Sequence, residues 1–393
     1  MYRRTIKTLI LAFALSANSY ALGQEAPKQA PKPSAKTAPP LSPRPVPLPS
    51  PMEPSIEMKA PKAKVYEQAA ESQVGPITKK IVQGTRIAVT SKTVNVKIIG
   101  IEGDTLQAAA TSEAGAEPLM TQVTGESSKP SRILLYVPAS TPRRARVINL
   151  EVKVPRYAEV ESVESSTGEI EVSDMDAPVA ISNGNGTVKV NRVGSLKVNT
   201  RGGEIIAREI KGDLIARSTH GDMTIENVNG NVDVAATNGA VAVRNAAGDV
   251  RANMATGDVD VHCVKGRAEL NSASGSIMIV GSSGDVEATT ASGDVTFKGA
   301  IRANGRYRLK SISGEVGMFI QPDAPGFTAT LITYSGDIET AFPLKVETPL
   351  QGGPINRRIS GRFGNGGAQI TLDSFSGAVG LSKGSPAEWR QCK

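Results

Sequence analysis

The residues able to do chemistry are few, and their spacing decides what they can do. Aspartate follows glycine at Asp213, Asp249 and Asp285, and again at Asp222, Asp258 and Asp294. Repeated Gly-Asp steps suggest calcium. The calcium-binding nonapeptide roll, however, needs GGxGxD turns, in which carbonyls and an aspartate from adjacent coils enclose the ion. Here each bend has one glycine, the aspartate comes directly after it, and the next residue is apolar. These read as solvated bend aspartates. The chain has two cysteines, Cys263 and Cys392, and two histidines, His220 and His262, too few and too scattered for a zinc centre. For the cysteines, a free thiol and a bridge are both open. Both histidines fall at polar or outward positions and read as surface residues.

An acid-base enzyme needs carboxylates gathered in a walled groove. The candidates are Asp323, Asp337 and Glu339, in the irregular loops near the C-terminal end. They make a weak constellation, and the bends elsewhere are too short to wall anything. The run GSSGD at 281–285 matches a nucleophile elbow only loosely; that motif requires a strand-to-helix turn, and no helix is indicated. Arg143, Arg144 and Arg146, in TPRRARV, read as a solvated basic loop. No catalytic, cofactor-binding or metal-binding residue is assigned. The expectation is a protein that is not an enzyme and carries no cofactor.

What must position these residues is visible in the glycines. One set runs Gly186, Gly203, Gly221, Gly239, Gly257, Gly275, Gly293; a second runs Gly194, Gly212, Gly230, Gly248, Gly266, Gly284. Both recur about every eighteen residues and interleave at eight or nine, so the unit has two similar halves. After each glycine, apolar residues alternate with polar ones, as in Val241 and Val243, Val250 and Ala252, Val259 and Val261. Period-two alternation marks a strand with one buried face, and glycine is expected to supply the unusual φ at each bend. The predicted fold is all-β: a parallel β-solenoid or β-helix with two short strands per roughly eighteen-residue coil and irregular β caps at both ends. No coil can bury its apolar face alone, so the array holds through neighbour contacts. The small residues fit a thin core, and no aromatic lies between Tyr157 and Phe297.

Charge placement agrees with stacking in register. The aspartates of each row recur every 36 residues, two coils, with Asn231 and Arg267 between them in one row and Ala240 and Ser276 in the other. Coils about 4.8 Å apart would set like charges in line to repel, and skipping every second coil avoids it. Before the regular zone come looser strand-like runs at 93–100, 132–138 and 148–155. After Gly293 the spacing stretches to Gly314, Gly336 and Gly377, and nine of the fifteen aromatics lie from Phe297 to Trp389. Unpaired strand edges at the solenoid ends make end-to-end self-association the hazard unless caps cover them.

The N-terminus reads as an export signal. Arg3, Arg4 and Lys7 precede an apolar run from Leu9 to about Ala17, and Ser19-Tyr20-Ala21 offers a cleavage site. That run is shorter than the ~20 residues a spanning helix needs. Twelve of the 25 prolines fall between Pro27 and Pro61, which reads as an extended, solvated spacer. The formal charge of +7 is carried by the signal and spacer, so residues 65–393 sum to zero. A neutral body gives no basic footprint for nucleic acid. The expected division is a signal peptide at 1–21, a Pro-rich disordered spacer at 22–80 and an N-terminal β region or cap at 81–160. A regular β-solenoid at 161–299, irregular C-terminal coils and cap at 300–384, and a tail at 385–393 follow.

Three stretches carry a family resemblance: VPRYAEVESVESSTGEIEV at 154–172, the units SASGSI and SISGEV, and GNGGAQITLDSFSGAVGLSK at 364–383. Over roughly residues 90–384 the chain resembles a bacterial "putative adhesin" family of exported β-strand-repeat proteins, grouped under a domain of unknown function. The resemblance implies the solenoid fold and attachment at the cell surface, and brings no catalytic or binding residues. The leading expectation is therefore a non-enzymatic, exported, adhesin-like β-solenoid presenting a polar interaction surface at the bacterial cell envelope, periplasmic, outer-surface or secreted. Its partner would be a protein or glycan, not nucleic acid, with no transmembrane domain after signal cleavage. Two alternatives are a periplasmic envelope scaffold or stress component tethered by its N-terminal arm, and a β-helix polysaccharide-active enzyme.

Overall fold

The computed structural model describes residues 70–126, 129–138, 147–348 and 357–392. The signal, most of the spacer and the Arg143, Arg144, Arg146 cluster lie outside the described residues. Two faces of strands, here sheets A and B, are joined by one long strand. The first nine strands are β1 (Glu71–Val74), β2 (Ile77–Lys80), β3 (Arg86–Ile101), β4 (Thr105–Ser112), β5 (Gly115–Glu126), β6 (Lys129–Tyr136), β7 (Ile148–Pro155), β8 (Glu159–Thr167) and β9 (Ile170–Ser173). The strands begin inside the stretch read as spacer: β1 pairs antiparallel with β5, and β2 with β4. Strand β3 alone makes a whole coil. It lies between β6 and β8 in sheet A and between β7 and β9 in sheet B.

From β10 (Val179–Asn185) to β23 (Val295–Gly299) the chain alternates between the sheets, and each strand pairs in parallel with the strand two further on. The register equals the sequence repeat: Val232 opposes Val250 in sheet A, and Val241 opposes Val259 in sheet B. Alternate residues are buried, Val250, Ala252 and Met254 from one strand facing Val259, Val261 and Val264 from the next. Each buried valine contributes about 1.5–3 kcal/mol, but only where a coil on each side covers it.

The two sets of glycines do different work. In the first set the bends stack directly: a Cβ on Gly257 (φ +131°) would lie 1.9 Å from the Gly239 carbonyl oxygen. Only glycine fits that position. In the second set the prediction that glycine carries the unusual φ is corrected. Those glycines do not have positive φ; the left-handed residue lies two or three positions earlier and, Gly281 apart, is not glycine, as at Asn227, Asn245 and Cys263, each with φ 58°. Asparagine tolerates that region better than most side chains, and the column is tied by Asn245 Nδ2 donating to Asn227 Oδ1 at 2.9 Å.

The S-x-S-G units are explained at the same corner. Their first hydroxyl points inward and donates to the glycine carbonyl of the preceding coil: Thr290 to Gly275 O at 2.9 Å, Ser311 to Gly293 O at 2.8 Å. A buried hydroxyl is thereby satisfied, and so is a carbonyl at the bend.

The C-terminal end departs from the sequential order. Its strands are β24 (Arg306–Ser313), β25 (Val316–Ile320), β26 (Phe327–Thr333), β27 (Ile338–Thr340), β28 (Lys345–Thr348), β29 (Arg357–Phe363), β30 (Ala368–Ser376) and β31 (Val379–Lys383). The coil made by β30 and β31 inserts between β24 and β26 in sheet A and between β25 and β27 in sheet B. The bend glycines record it: a Cβ on Gly377 would meet Gly314 O, and one on Gly336 would meet Gly377 O, each at 2.1 Å. Antiparallel β29 and β28 then cover β26. Both ends of sheet A thus finish in antiparallel strands, which cover the edges that a bare parallel array would present.

Candidate binding surface

The residues singled out for chemistry are brought into structural roles. Each bend aspartate accepts the backbone N–H of the residue stacked on it in the next coil. Asp213 Oδ1 takes Asn231 N–H at 2.7 Å, Asp249 Oδ1 takes Arg267 N–H at 2.8 Å, and Asp258 Oδ1 takes Ser276 N–H at 2.8 Å. Between them Asn231 Oδ1 does the same for Asp249 N–H at 2.9 Å. The aspartates, exposed except for the half-buried Asp285, are hydrogen-bonded and not merely solvated. His220 stacks on Asn238 at the corner, exposed, and His262 stacks on Arg244 and contacts Asp260 Oδ1 through Nε2 at 2.8 Å.

Asp323, Asp337 and Glu339 do not form a catalytic cluster. Asp337 is ion-paired with Arg357, Glu339 lies exposed on β27, and Asp323 sits in the turn between β25 and β26. Among the described residues no group of three or more His, Cys, Asp or Glu could hold a metal ion. Ser282 of GSSGD is buried between strands, with no helix following. Among the described residues three carboxylates are shifted. The hydrogen bond from Arg192 holds Asp174 below its ordinary value, and that from Lys211 does so for Asp176. Burial pushes Asp285 upward, but bonds from Arg306 N–H and from the Arg302 and Arg306 guanidiniums outweigh it, and the net direction is down.

Cys263 and Cys392 are bridged, with Cα atoms 4.7 Å apart. The tail thus turns back across the coil edges. Glu388 pairs with Lys298 at 3.1 Å, and Trp389 is 92% covered. The next residue in the Cys263 column is Gly281 (φ +69°), where a Cβ would lie 2.4 Å from Cys392 Sγ. Glycine there leaves room for the bridge.

One exposed feature is not consumed by folding. It lies on the outer face of sheet A, in the column formed by the x of each [ST]-x-S-G or related corner. Near the N-terminal end that position holds Arg201, Thr219 and Thr237; further on it holds Ala255, Ala273 and Ala291, then Ile312, Phe375 and Tyr334. Ile312, Phe375 and Tyr334 are 50%, 55% and 44% exposed. The Phe375 and Tyr334 rings stack with centroids 4.7 Å apart and planes at 4°. The alanines are low, so the column forms a trough of about 730 Å³, bordered by Asn253, Asn271, Thr289 and Lys310. Thr256, Ser274 and Ser292, exposed next to the alanines, lie outside its lining. Sequence reading did not pick out this surface. The signal was present: SASG, TASG, SISG, SFSG and TYSG differ mainly at x, which enlarges toward the C-terminal end.

Among the described residues no helix is long and apolar enough to cross a membrane. No curated protein matches the sequence. Two solved structures are similar at low identity. A "putative cell adhesion protein" of Clostridium sporogenes ATCC 15579 is 8% identical, with 79% of this chain and 100% of that one covered, at a TM-score of 0.21. A "putative adhesin" of Bacteroides fragilis NCTC 9343 is 9% identical, with 79% and 97% covered, at a TM-score of 0.23. The family model described as Toastrack DUF4097 matches residues 84–382, from the first coil strand to the last, and with more than half of its length so matched this β-solenoid belongs to the Toastrack DUF4097 family.

Proposed function

We propose that the chain is an exported, non-enzymatic, adhesin-like module that offers the outer face of sheet A to a partner at the bacterial cell envelope. The observation that carries this reading is the exposed stack of Phe375 on Tyr334 beside Ile312, at the end of the alanine-floored trough. Other exposed large apolar side chains of the array, such as Ile215 and Met278, stand singly on their strands. Three large apolar side chains held outward on adjacent strands form a contiguous patch, and such patches mark interaction sites. Burying them against a partner would release water from surface that folding leaves wet. The apolar N-terminal run and the Ser19-Tyr20-Ala21 site support export, and the proline-rich stretch supports a spacer between anchor point and solenoid.

The test has two readouts. Intact cells are treated with protease and the mature N-terminus is sequenced; attachment of the purified chain to isolated envelope is then compared with that of Phe375→Ala/Tyr334→Ala. The expected result is a chain cleaved after Ala21, digested from outside, with attachment weakened about tenfold in the double variant. A protected chain retaining its apolar N-terminus, with attachment unchanged in the variant, would overturn the reading in favour of a tethered periplasmic scaffold.

A further inference from the structure

We propose that the trough on sheet A takes a linear, uncharged polysaccharide laid along the stacking direction, one sugar ring to each coil. This deepens the function proposed above and rests on the same surface. The trough crosses four adjacent strands, β18 (Val250–Thr256), β20 (Ala268–Ser274), β22 (Val286–Ser292) and β24, and Phe375 on β30 and Tyr334 after β26 follow beyond it. At about 4.8 Å per strand it is roughly 14 Å long. That spacing is close to the length of a pyranose ring in an extended chain, so each ring meets the same set of groups as the one before.

The chemistry of each rung matches a sugar. The floor is a methyl group at Ala255, Ala273 and Ala291, suited to the C–H face of a ring. One wall presents Asn253, Asn271 and Thr289, the first two joined by a side-chain hydrogen bond at 3.1 Å. Past the alanines, outside the trough's lining, the exposed hydroxyls of Thr256, Ser274 and Ser292 follow. Amides and hydroxyls each donate and accept, as ring hydroxyls require. At the C-terminal end Ile312 and the stacked Phe375 and Tyr334 rise above the alanines and give the chain an apolar stop.

Charge and shape argue against other occupants. The wall residues over the alanine floor are uncharged, and where charges enter, Lys310 is paired with Asp373 at 3.7 Å. An acidic polymer would prefer a row of unpaired cations. A partner strand needs a sheet edge, whereas these strands are hydrogen-bonded on both sides. An amphipathic helix buries a stripe about 100° wide, but this apolar column is one residue wide with polar columns on either side.

The experiment is affinity electrophoresis of the full chain through gels containing hydroxyethylcellulose, xylan or mannan, with alginate as the charged polymer. The variants are Ala273→Arg, which fills the floor; Ala291→Lys, a second filling variant should the first fail to fold; and Met278→Arg, an exposed change on sheet B. At least one neutral glycan should retard the wild-type chain and Met278→Arg alike, with binding about tenfold or more weaker in the filled variants. Retardation by alginate alone, retardation by nothing, or undiminished retardation of folded filled variants would each overturn the proposal. Envelope attachment separates the two levels of inference. If the filled variants lose attachment while no neutral glycan retards the wild type, the glycan assignment falls and the surface stands. If they attach as the wild type does, the surface reading falls with it.

Discussion

Asn231 stands between Asp213 and Asp249 in one stacked row, and its amide oxygen accepts the next coil's N–H as their carboxylates do. Asn231→Asp therefore keeps the hydrogen-bond acceptor and changes only charge. It puts three carboxylates in line at about 4.8 Å spacing, which should cost about 1–2 kcal/mol in dilute buffer. Since the Debye length is only about 3 Å at 1 M salt, the loss should largely vanish there. Urea melts at two salt concentrations check this; equal stability of variant and wild type at low salt would refute in-register repulsion. Acid acts on other residues. Asp174, Asp176 and Asp285 are depressed in the folded chain, so their contribution is complete above the ordinary carboxylate value of about 4 and is lost as pH falls through the folded values. Asp174→Asn should flatten the acid limb of a stability-against-pH curve and lower the plateau at neutral pH. Spacing along the sequence makes the Gly-Asp steps and their skipping of alternate coils legible. It does not reveal that the carboxylates accept amides, since the N–H concerned belongs to another coil and is aimed by the stacking register.

At the scale of the element, an eighteen-residue coil is specified by alternation plus two bends, and both parts are local enough to read from the sequence. The division of labour between bends is less legible. Gly257 and Gly248 look equivalent in a repeat alignment, yet only the first set has left-handed φ, while Asn227, Asn245 and Cys263 carry that conformation at the other corner. Asparagine there was a usable signal; cysteine was not. Gly257→Ala adds a Cβ 1.9 Å from Gly239 O at φ +131°, so both strain and collision oppose it. We expect a loss of about 3 kcal/mol or more. Because coils are stabilised by their neighbours, hydrogen exchange should accelerate first in Val250–Thr256 and Val259–Val264 and in the strands stacked on them. Unchanged exchange would contradict the bend stacking. The x column shows the converse limit: its growth from alanine to tyrosine is plain in the sequence, but that it faces outward on one sheet follows only from the inward hydroxyl beside it.

For the solenoid body as a whole, what sequence order conceals is the return of the chain upon itself. Gly314, Gly336 and Gly377 suggest successive coils, but the last-made coil sits inside the one before it, because β26 is laid down one place too far out and β30 fills the gap. Such a contact joins residues 63 apart in sequence, Tyr307 to Ile370, and no local pattern encodes it. The bridge from Cys263 to Cys392 adds a second long closure, 129 residues apart. Together they make the C-terminal half less like an open array, in which coils could fray one by one, and more like a closed unit. In the chain-entropy model a loop of that length constrains the unfolded chain by about 4–5 kcal/mol. The consequence is asymmetric. Reduction, or Cys392→Ser, frees the tail, uncovers Trp389 and Val280, and removes the tie between the coil edge at Cys263 and the chain end. Exchange should then rise from the strand Val259–Val264 through β31 and hardly change in β3 to β9, because each coil feels mainly its neighbours. A uniform rise along both sheets would mean that the whole solenoid unfolds as one cooperative unit; no rise at all would mean that the inserted coil alone holds the C-terminal end closed.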